Sequence, residues 1–228
     1  MTSELVYPEK ISGELIEKLS SLNTTLLCDA MDGHGGMDYL INPVTPEMKI
    51  VGTAVTVNMR PTDNLFLHKA IYSGRPGYVL VADGKGDTSH AYMGELMARA
   101  AKAVGLEGVV IDGTIRDQQG LTELNYPIFS KGFVPNGPYK NGPGNLNTPI
   151  TCGGVNVNPG DLIFGDSDGV VVVPRDKIES VIEKAEKKLS YEDERIQVIS
   201  EYEEKRIKGE EPGSIEPNWL ETRLKEYR

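Results

Sequence analysis

The sequence predicts an α/β layered domain on a mixed sheet, followed by a helical arm. Three observations point there. Helix-period segments alternate with short Val/Ile-rich runs over residues 1–175, with glycine between them. Three late apolar runs, at 155–157, 161–164 and 170–173, are separated only by Pro-Gly and Ser-Asp-Gly turn signals. From Arg175 onward the chain becomes charged and helical.

Each element has a local reason. Ile11, Leu15, Ile16 and Leu19 fall at helical spacing, and Asn23-Thr24-Thr25 offers caps for a second helix over 26–31. Residues 51–57 alternate as a strand, and 64–72 read as a helix. The apolar run at 78–82 is short enough for a buried strand. Leu96, Met97, Ala100, Ala101 and Val104 share one side of a helix over 94–104 that stops at Gly105. Residues 108–112 form another buried strand. In the arm, Ile178, Val181, Ile182, Ala185 and Leu189 make one apolar stripe over 176–189. A charged helical segment continues to 207, residues 208–214 read as a hinge, and Trp219, Leu220 and Leu224 would anchor a last short helix. The division is thus 1–175 as the α/β domain and 176–228 as a helical extension, packed either on its own domain or on a neighbouring subunit.

Composition removes several function classes. The 228 residues carry 24 basic and 34 acidic side chains, a net charge of −10, which disfavours a nucleic-acid partner. Mean hydropathy is −0.32, and no apolar stretch approaches the ~18 residues of a membrane helix. The first ten residues show no secretory pattern, so a cytoplasmic protein is expected. Cys28 and Cys152 are too few for a disulfide framework or a four-cysteine zinc site, and read as inert core residues.

The chemistry concentrates in residues 79–117, which read strand, loop, helix, strand, loop. If the two strands are parallel, the unit is a βαβ crossover. A helix over 94–104 advances about 16 Å at ~1.5 Å per residue, and a five-residue strand returns about 16 Å at ~3.3 Å per residue. The helix N-terminus at Gly94, Glu95, Leu96 and Met97 should therefore face the loop that carries Arg116 and Asp117. This is the edge where open α/β sheets bind ligands. Free N–H groups there suit a carboxylate or phosphate. Arg116 suits a carboxylate or a developing enolate oxygen. Asp117 and Glu95 are hard oxygen donors for Mg²⁺ or Mn²⁺, directly or through water. Such a set would chelate a 2-oxo acid and stabilise its enolate. A surface Arg-Asp pair beside a helix-capping glutamate would read the same.

Other candidates carry less. Gly84-Lys85-Gly86 fits neither a P-loop nor a dinucleotide fingerprint, and reads as a flexible loop beside the site. His34, His68 and His90 lack metal-ligand spacing; His90 is close enough to serve as an acid or base. Asp166-Ser-Asp168-Gly169 reads as a turn. Lys85 or Lys131 could form a Schiff base in a metal-free aldolase.

These residues also carry a resemblance. Gly94-Glu-Leu-Met and Gly108-Val-Val-Ile-Asp-Gly-Thr-Ile-Arg-Asp117 resemble the family of 4-hydroxy-4-methyl-2-oxoglutarate aldolases and regulators of ribonuclease E activity. Cys28-Asp-Ala-Met, Val51-Gly-Thr-Ala-Val-Thr-Val, Asp63-Asn-Leu, Cys152-Gly-Gly-Val, Pro159-Gly-Asp-Leu and Asp168-Gly-Val-Val-Val-Val-Pro174 follow in family order. The resemblance implies a β/β/α swivelling-domain fold and homotrimers or homohexamers. It implies a class II, metal-dependent pyruvate aldolase with oxaloacetate decarboxylase side activity. In that family's aldolases an acidic residue, often aspartate, precedes Arg-Asp by twenty intervening residues; here Glu95 holds that place. The resemblance makes Asp117 the direct Mg²⁺ ligand, Glu95 a ligand through water, Arg116 the contact to the substrate oxygen, and residues 94–97 the cradle of the pyruvyl carboxylate. Glu192 or Glu194 would be the acidic group lent to a neighbour. The regulators lack the Arg-Asp pair, so a non-catalytic binding protein is the alternative; a methyltransferase reading lacks a nucleotide loop.

Overall fold

The structure, a computed structural model, describes residues 6–227. The chain opens with two short helices, α1 (Gly13–Leu19) and α2 (Thr24–Ala30). Ser12 and Asn23 cap them by accepting the N–H groups of Leu15 and Leu26. A two-residue strand β1 (Asn42–Pro43) precedes a parallel run: β2 (Ile50–Met59), α3 (Leu65–Tyr72), β3 (Tyr78–Ala91), α4 (Glu95–Ala103), β4 (Gly108–Thr114), α5 (Gln118–Leu124) and β5 (Ile128–Ser130). Then come β6 (Gly144–Leu146), a hairpin of β7 (Ile150–Cys152) and β8 (Val155–Val157), and a second hairpin of β9 (Leu162–Asp166) and β10 (Gly169–Val173). The arm is α6 (Ile178–Lys208) and α7 (Leu220–Lys225).

The main sheet runs β1-β5-β4-β3-β2-β9-β10, with β6 added against β2. Strands β2 to β5 are parallel; β9, β10, β6 and β1 pair antiparallel. The mixed α/β sheet is therefore as expected. It is nearly closed, because the chain just before β1 lies along β10: Met37 N–H donates to Val170 O (2.9 Å) and Val172 N–H to Gly35 O (2.9 Å).

Strand alternation sorts the core. Val55, Val57, Leu80, Ala82, Val109 and Ile111 face α3, α4 and α5. Ala54, Val79, Val81, Val110, Ile163 and Val172 face inward onto the β7–β8 hairpin. Phe164, Val171 and Val173 receive α1, α2 and the first half of α6, through Ile178, Val181, Ile182 and Ala185.

Two expectations need correcting. The strand from Tyr78 continues to Ala91, so Gly84-Lys85-Gly86 is a bulge within β3 and not a flexible loop; Lys85 and Gly86 both have left-handed φ, +60° and +69°. The strand from Gly108 continues through Thr114. In the arm the charged segment continues the helical stripe as expected, the two forming one 31-residue helix. A helix at Gln118–Leu124 lies where no helical pattern was visible, since Leu121 is its one buried residue.

Candidate active site

The crossover geometry brings the α4 N-terminus and the end of β4 together. Arg116 N–H donates to Met93 O (2.9 Å), which pins the loop beside Gly94. Asp117 adopts left-handed φ, +65°, and its Oδ2 accepts the N–H of Glu95 at 3.0 Å. The carboxylate of Asp117 thus sits on the positive end of α4. Arg116 Nε lies 3.8 Å from the same oxygen. Gly94 makes this approach possible: a Cβ there would overlap the Asp117 carboxylate and crowd Arg116. Both side chains are nearly half exposed, Arg116 at 46% and Asp117 at 44%.

Glu95 is placed differently from its neighbours in sequence. Its backbone N–H meets Asp117, but its carboxylate turns back along the helix to Arg99, accepting from Nε at 2.7 Å with Nη2 at 2.6 Å. Gly120 of α5 leaves room for it, since a Cβ there would overlap the Glu95 carboxyl group. Of the remaining cradle residues, Leu96 is 83% exposed at the mouth. Met97 is buried in the core, its Sδ 3.4 Å from Nδ2 of Asn64. Helix geometry leaves the N–H groups of Leu96 and Met97 without intrahelical acceptors.

Sequence reasoning missed several participants. Asn64 donates to Tyr92 O (2.8 Å), fixing the strand end that leads into Gly94. The buried Tyr92 hydroxyl donates to Gly84 O (2.8 Å) and accepts Thr62 N–H (3.0 Å); burial pushes its pKa up to about 12. A cavity of about 340 Å³ is lined by Arg116, Asp117, Phe133, Val134 and Pro135. No local pattern marks residues 133–135; the partial signal is that they follow the strand after Arg-Asp. The His90 ring lies tilted against that of Tyr139 (centroids 5.5 Å apart), and its Nδ1 is 2.9 Å from Ser89 Oγ.

The Schiff-base readings lose their chemical basis. Lys131 lies 2.8 Å from Asp112 Oδ1 and 2.9 Å from Asp38 Oδ2, and is 11% exposed. Burial works to lower its pKa, but bonds to the two carboxylates outweigh it, and the net direction is upward. A lysine held as ammonium is not a nucleophile. Lys85 is ion-paired with Asp83. Cys28 and Cys152 are free thiols, not bridged, and burial raises both pKa values. Among the described residues no three His, Cys, Asp or Glu side chains cluster as a metal cage, and no helix is long and apolar enough to cross a membrane.

This geometry sits inside a matched family region: the RraA-like profile, described as Aldolase/RraA, matches residues 24–172. The chain belongs to the RraA-like family. A protein of Halalkalibacterium halodurans named "Putative 4-hydroxy-4-methyl-2-oxoglutarate aldolase" is 42% identical over 188 residues, covering 82% of this chain and 90% of that one. The Streptomyces coelicolor protein RraAS2, titled an unusual member of the RNase ES inhibitor RraA family, superposes with a TM-score of 0.72 at 27% identity, covering 82% of this chain and 98% of that one. The RNA-processing inhibitor RraA of Thermus thermophilus gives a TM-score of 0.62 at 28% identity, covering 67% and 92%. The family thus includes proteins named as aldolases and proteins named as regulators.

Proposed function

We propose that this protein is a carbon–carbon lyase that releases pyruvate from 4-hydroxy-4-methyl-2-oxoglutarate or a related 4-hydroxy-2-oxo acid, with Mg²⁺ or another divalent ion as cofactor. The observation that carries the reading is the placement of Arg116 and Asp117 against the α4 N-terminus. The donor set fits a Mg²⁺ site that keeps most of its waters. One carboxylate oxygen, Asp117 Oδ1, has no partner among the described residues, while Oδ2 is oriented by Glu95 N–H. Glu95 would hold a bound water once its side chain leaves Arg99. The ion would supply a Lewis acid for the 2-oxo group.

The chain's own groups account for the rest. The N–H groups of Leu96 and Met97 bind the pyruvyl carboxylate. Loss of the 4-hydroxyl proton to a base lets the C3–C4 bond break, its electrons passing to C3 and the C2 oxygen. Arg116 donates to that oxygen as enolate charge develops, and protonation at C3 gives pyruvate. Decarboxylation of oxaloacetate reaches the same enolate, so it is expected as a side activity.

The test is pyruvate release from both compounds, with Mg²⁺ or EDTA, by wild type and Asp117→Asn. Asparagine tolerates the left-handed backbone at this position better than alanine. Release that needs both the ion and Asp117 supports the lyase. No release by folded, metal-loaded protein overturns it and favours a non-catalytic binding regulator.

We also propose a homo-oligomer, trimer or hexamer, joined in part by the arm. The stripe that buries Ile178, Val181, Ile182 and Ala185 continues at three- and four-residue steps through Leu189, Glu192, Ile196 and Ile199, and two further turns on it meets Ile207. The last three are exposed. Glu192 lies on this stripe, so it is the better candidate for a carboxylate lent to a neighbour. Removing residues 190–228 should lower the molar mass measured by light scattering to that of smaller assemblies; an unchanged assembly would exclude the arm as a joint.

A further inference from the structure

Asp63 and Asn64 stand side by side at the start of α3, both buried, and each fastens one of two walls between which Arg116 lies. The guanidinium passes between two glycines. A Cβ built on Gly94 would lie 3.2 Å from its Nε, and one built on Gly137 would lie 3.2 Å from its Nη1. Gly94 opens α4. Gly137 follows Phe133, Val134 and Pro135, which line the Arg116–Asp117 cavity.

The wall that carries Gly137 is tied down at both ends. Before Gly137, Lys131 N–H donates to Gly113 O (2.8 Å), Ile115 N–H to Gly132 O (2.9 Å), Val134 N–H to Ile115 O (2.9 Å) and Ala91 N–H to Asn136 O (2.8 Å). After Gly137 the tie is Asp63. Its Oδ2 accepts the N–H groups of Asn141 and Gly142, the second at 3.0 Å, and its Oδ1 accepts that of Leu65 at 3.0 Å. Backbone bonds on either side, Tyr139 N–H to Thr62 O (2.8 Å) and Asn64 N–H to Tyr139 O (3.0 Å), complete the attachment. Burial works to raise the pKa of Asp63, but the three N–H groups and Arg60 outweigh it, and the net direction is downward. An ionised acceptor makes each of these bonds about twice as strong as a neutral one.

Asn64 fastens the Gly94 wall. Its Nδ2 donates to Tyr92 O (2.8 Å), two residues before Gly94, and lies 3.4 Å from Sδ of Met97 in the first turn of α4. Arg116 N–H is itself bonded to Met93 O between them (2.9 Å).

We propose that Asp63 and Asn64 are positioning residues for Arg116, Asp63 setting the Gly137 wall and Asn64 the Gly94 wall, so that the guanidinium is held where the keto oxygen meets it. The functional part of the inference rests on the lyase reading above. Loosening the Gly137 wall leaves the α4 N–H groups in place, so it slows the enolate step without weakening the hold on the carboxylate. Loosening the Gly94 wall moves those N–H groups as well, so it weakens both. Small displacements of a group that meets developing charge are costly in rate.

Asp63→Ser keeps an acceptor for Leu65 N–H in the local turn and gives up the reach to Asn141 and Gly142. Gly137→Ala, at an exposed position whose backbone is not left-handed, touches Nη1 directly and keeps the test open should Asp63→Ser fail to fold. In full-length protein with Mg²⁺, kcat for pyruvate release should fall about tenfold in Asp63→Ser and about threefold in Gly137→Ala, with KM within twofold of wild type. Asn64→Ser should also raise KM at least threefold. In an Arg116→Met background, Asp63→Ser and Gly137→Ala should cost nothing further in kcat. Equal losses in both backgrounds would overturn the positioning role and leave the lyase standing. A readout independent of activity separates the two readings. Phenylglyoxal modification of Arg116, followed by peptide mass spectrometry, should run at least threefold faster in Asp63→Ser, with Arg175 unchanged. Faster modification in a protein that releases no pyruvate would remove the lyase and keep the positioning role; unchanged modification would remove that role whatever the activity.

Discussion

The carboxyl ends of β2, β3 and β4 bear charged groups on both faces of the sheet, and the two faces use them in opposite ways. On the inner face, Asn58, Asp83 and Asp112 stand in a row across adjacent strands, above Val81 and Val110. The two carboxylates of this row each have a lysine partner, and the row lines an open cavity of about 750 Å³ together with Lys85 and Asn158. Asp83 takes Lys85, and Asp112 takes Lys131 and the N–H of Gly153 (2.9 Å). Lys131 also binds Asp38, which belongs to the segment that nearly closes the sheet. On the helix face, Arg116 and Asp117 are half exposed, their mutual contact is 3.8 Å, and one carboxylate oxygen has no partner among the described residues. Lys131, joined to Asp38 and Asp112, ties the segment that closes the sheet to β4. On the lyase reading, charges with capacity to spare beside a helix N-terminus are the ones available to a ligand.

Lys131→Met should separate the faces most sharply. Removing one partner of a buried ion pair typically costs about 3–5 kcal/mol, so chemical denaturation should show a loss of that order. Activity per folded molecule should be unchanged; a selective loss of activity would make the inner face catalytic after all. Arg116→Met should do the reverse, lowering kcat for pyruvate release about 10²-fold, by analogy with loss of one oxyanion donor. Its melting temperature should stay within a few degrees, because the side chain is half exposed.

The inner staple also sets a pH window. The hydrogen bond from Lys131, first, and the N–H of Leu40 hold Asp38 below the ordinary carboxylate range. That contribution is present above the ordinary range and is lost as pH falls through the lowered value. Lys131 is raised, so its contribution is present below the ordinary lysine range and lost as pH rises through the raised value. Stability attributable to the staple should be flat between those limits, and Lys131→Met should flatten the alkaline limb in a pH–melting series. The smallest effect belongs to Arg99→Ala. Its exposed i,i+4 pair with Glu95 should contribute under about 0.5 kcal/mol to stability. A larger change in Mg²⁺ affinity than in stability would mean that Arg99 controls where Glu95 points.

The helix-face site was legible because its parts are close in sequence and joined by a rule of geometry. A helix and the strand after it have matched lengths, so the chain must return Arg116 and Asp117 to Gly94. The wall at 133–135 was not legible, since it arrives through backbone pairing with residues 113–115 and leaves no periodic signature. The end of β3 was hidden for a similar reason. Asp87, Thr88, Ser89 and His90 carry no apolar alternation, and pairing with β4 makes them strand.

The sequence by itself determined the α/β class, the arm and the Arg-Asp pair, because each rests on local periodicity, capping or residue identity, whereas the parallel pairing that makes the crossover came from the sheet. The tertiary structure alone decided that Glu95 turns to Arg99, that Asp117 caps α4, and that Lys131 is a staple between Asp38 and Asp112 rather than a nucleophile. Those outcomes depend on which carboxylate reaches which cation first in three dimensions. Charge pairing is set by distance and burial, and neither is written in the spacing of residues along the chain.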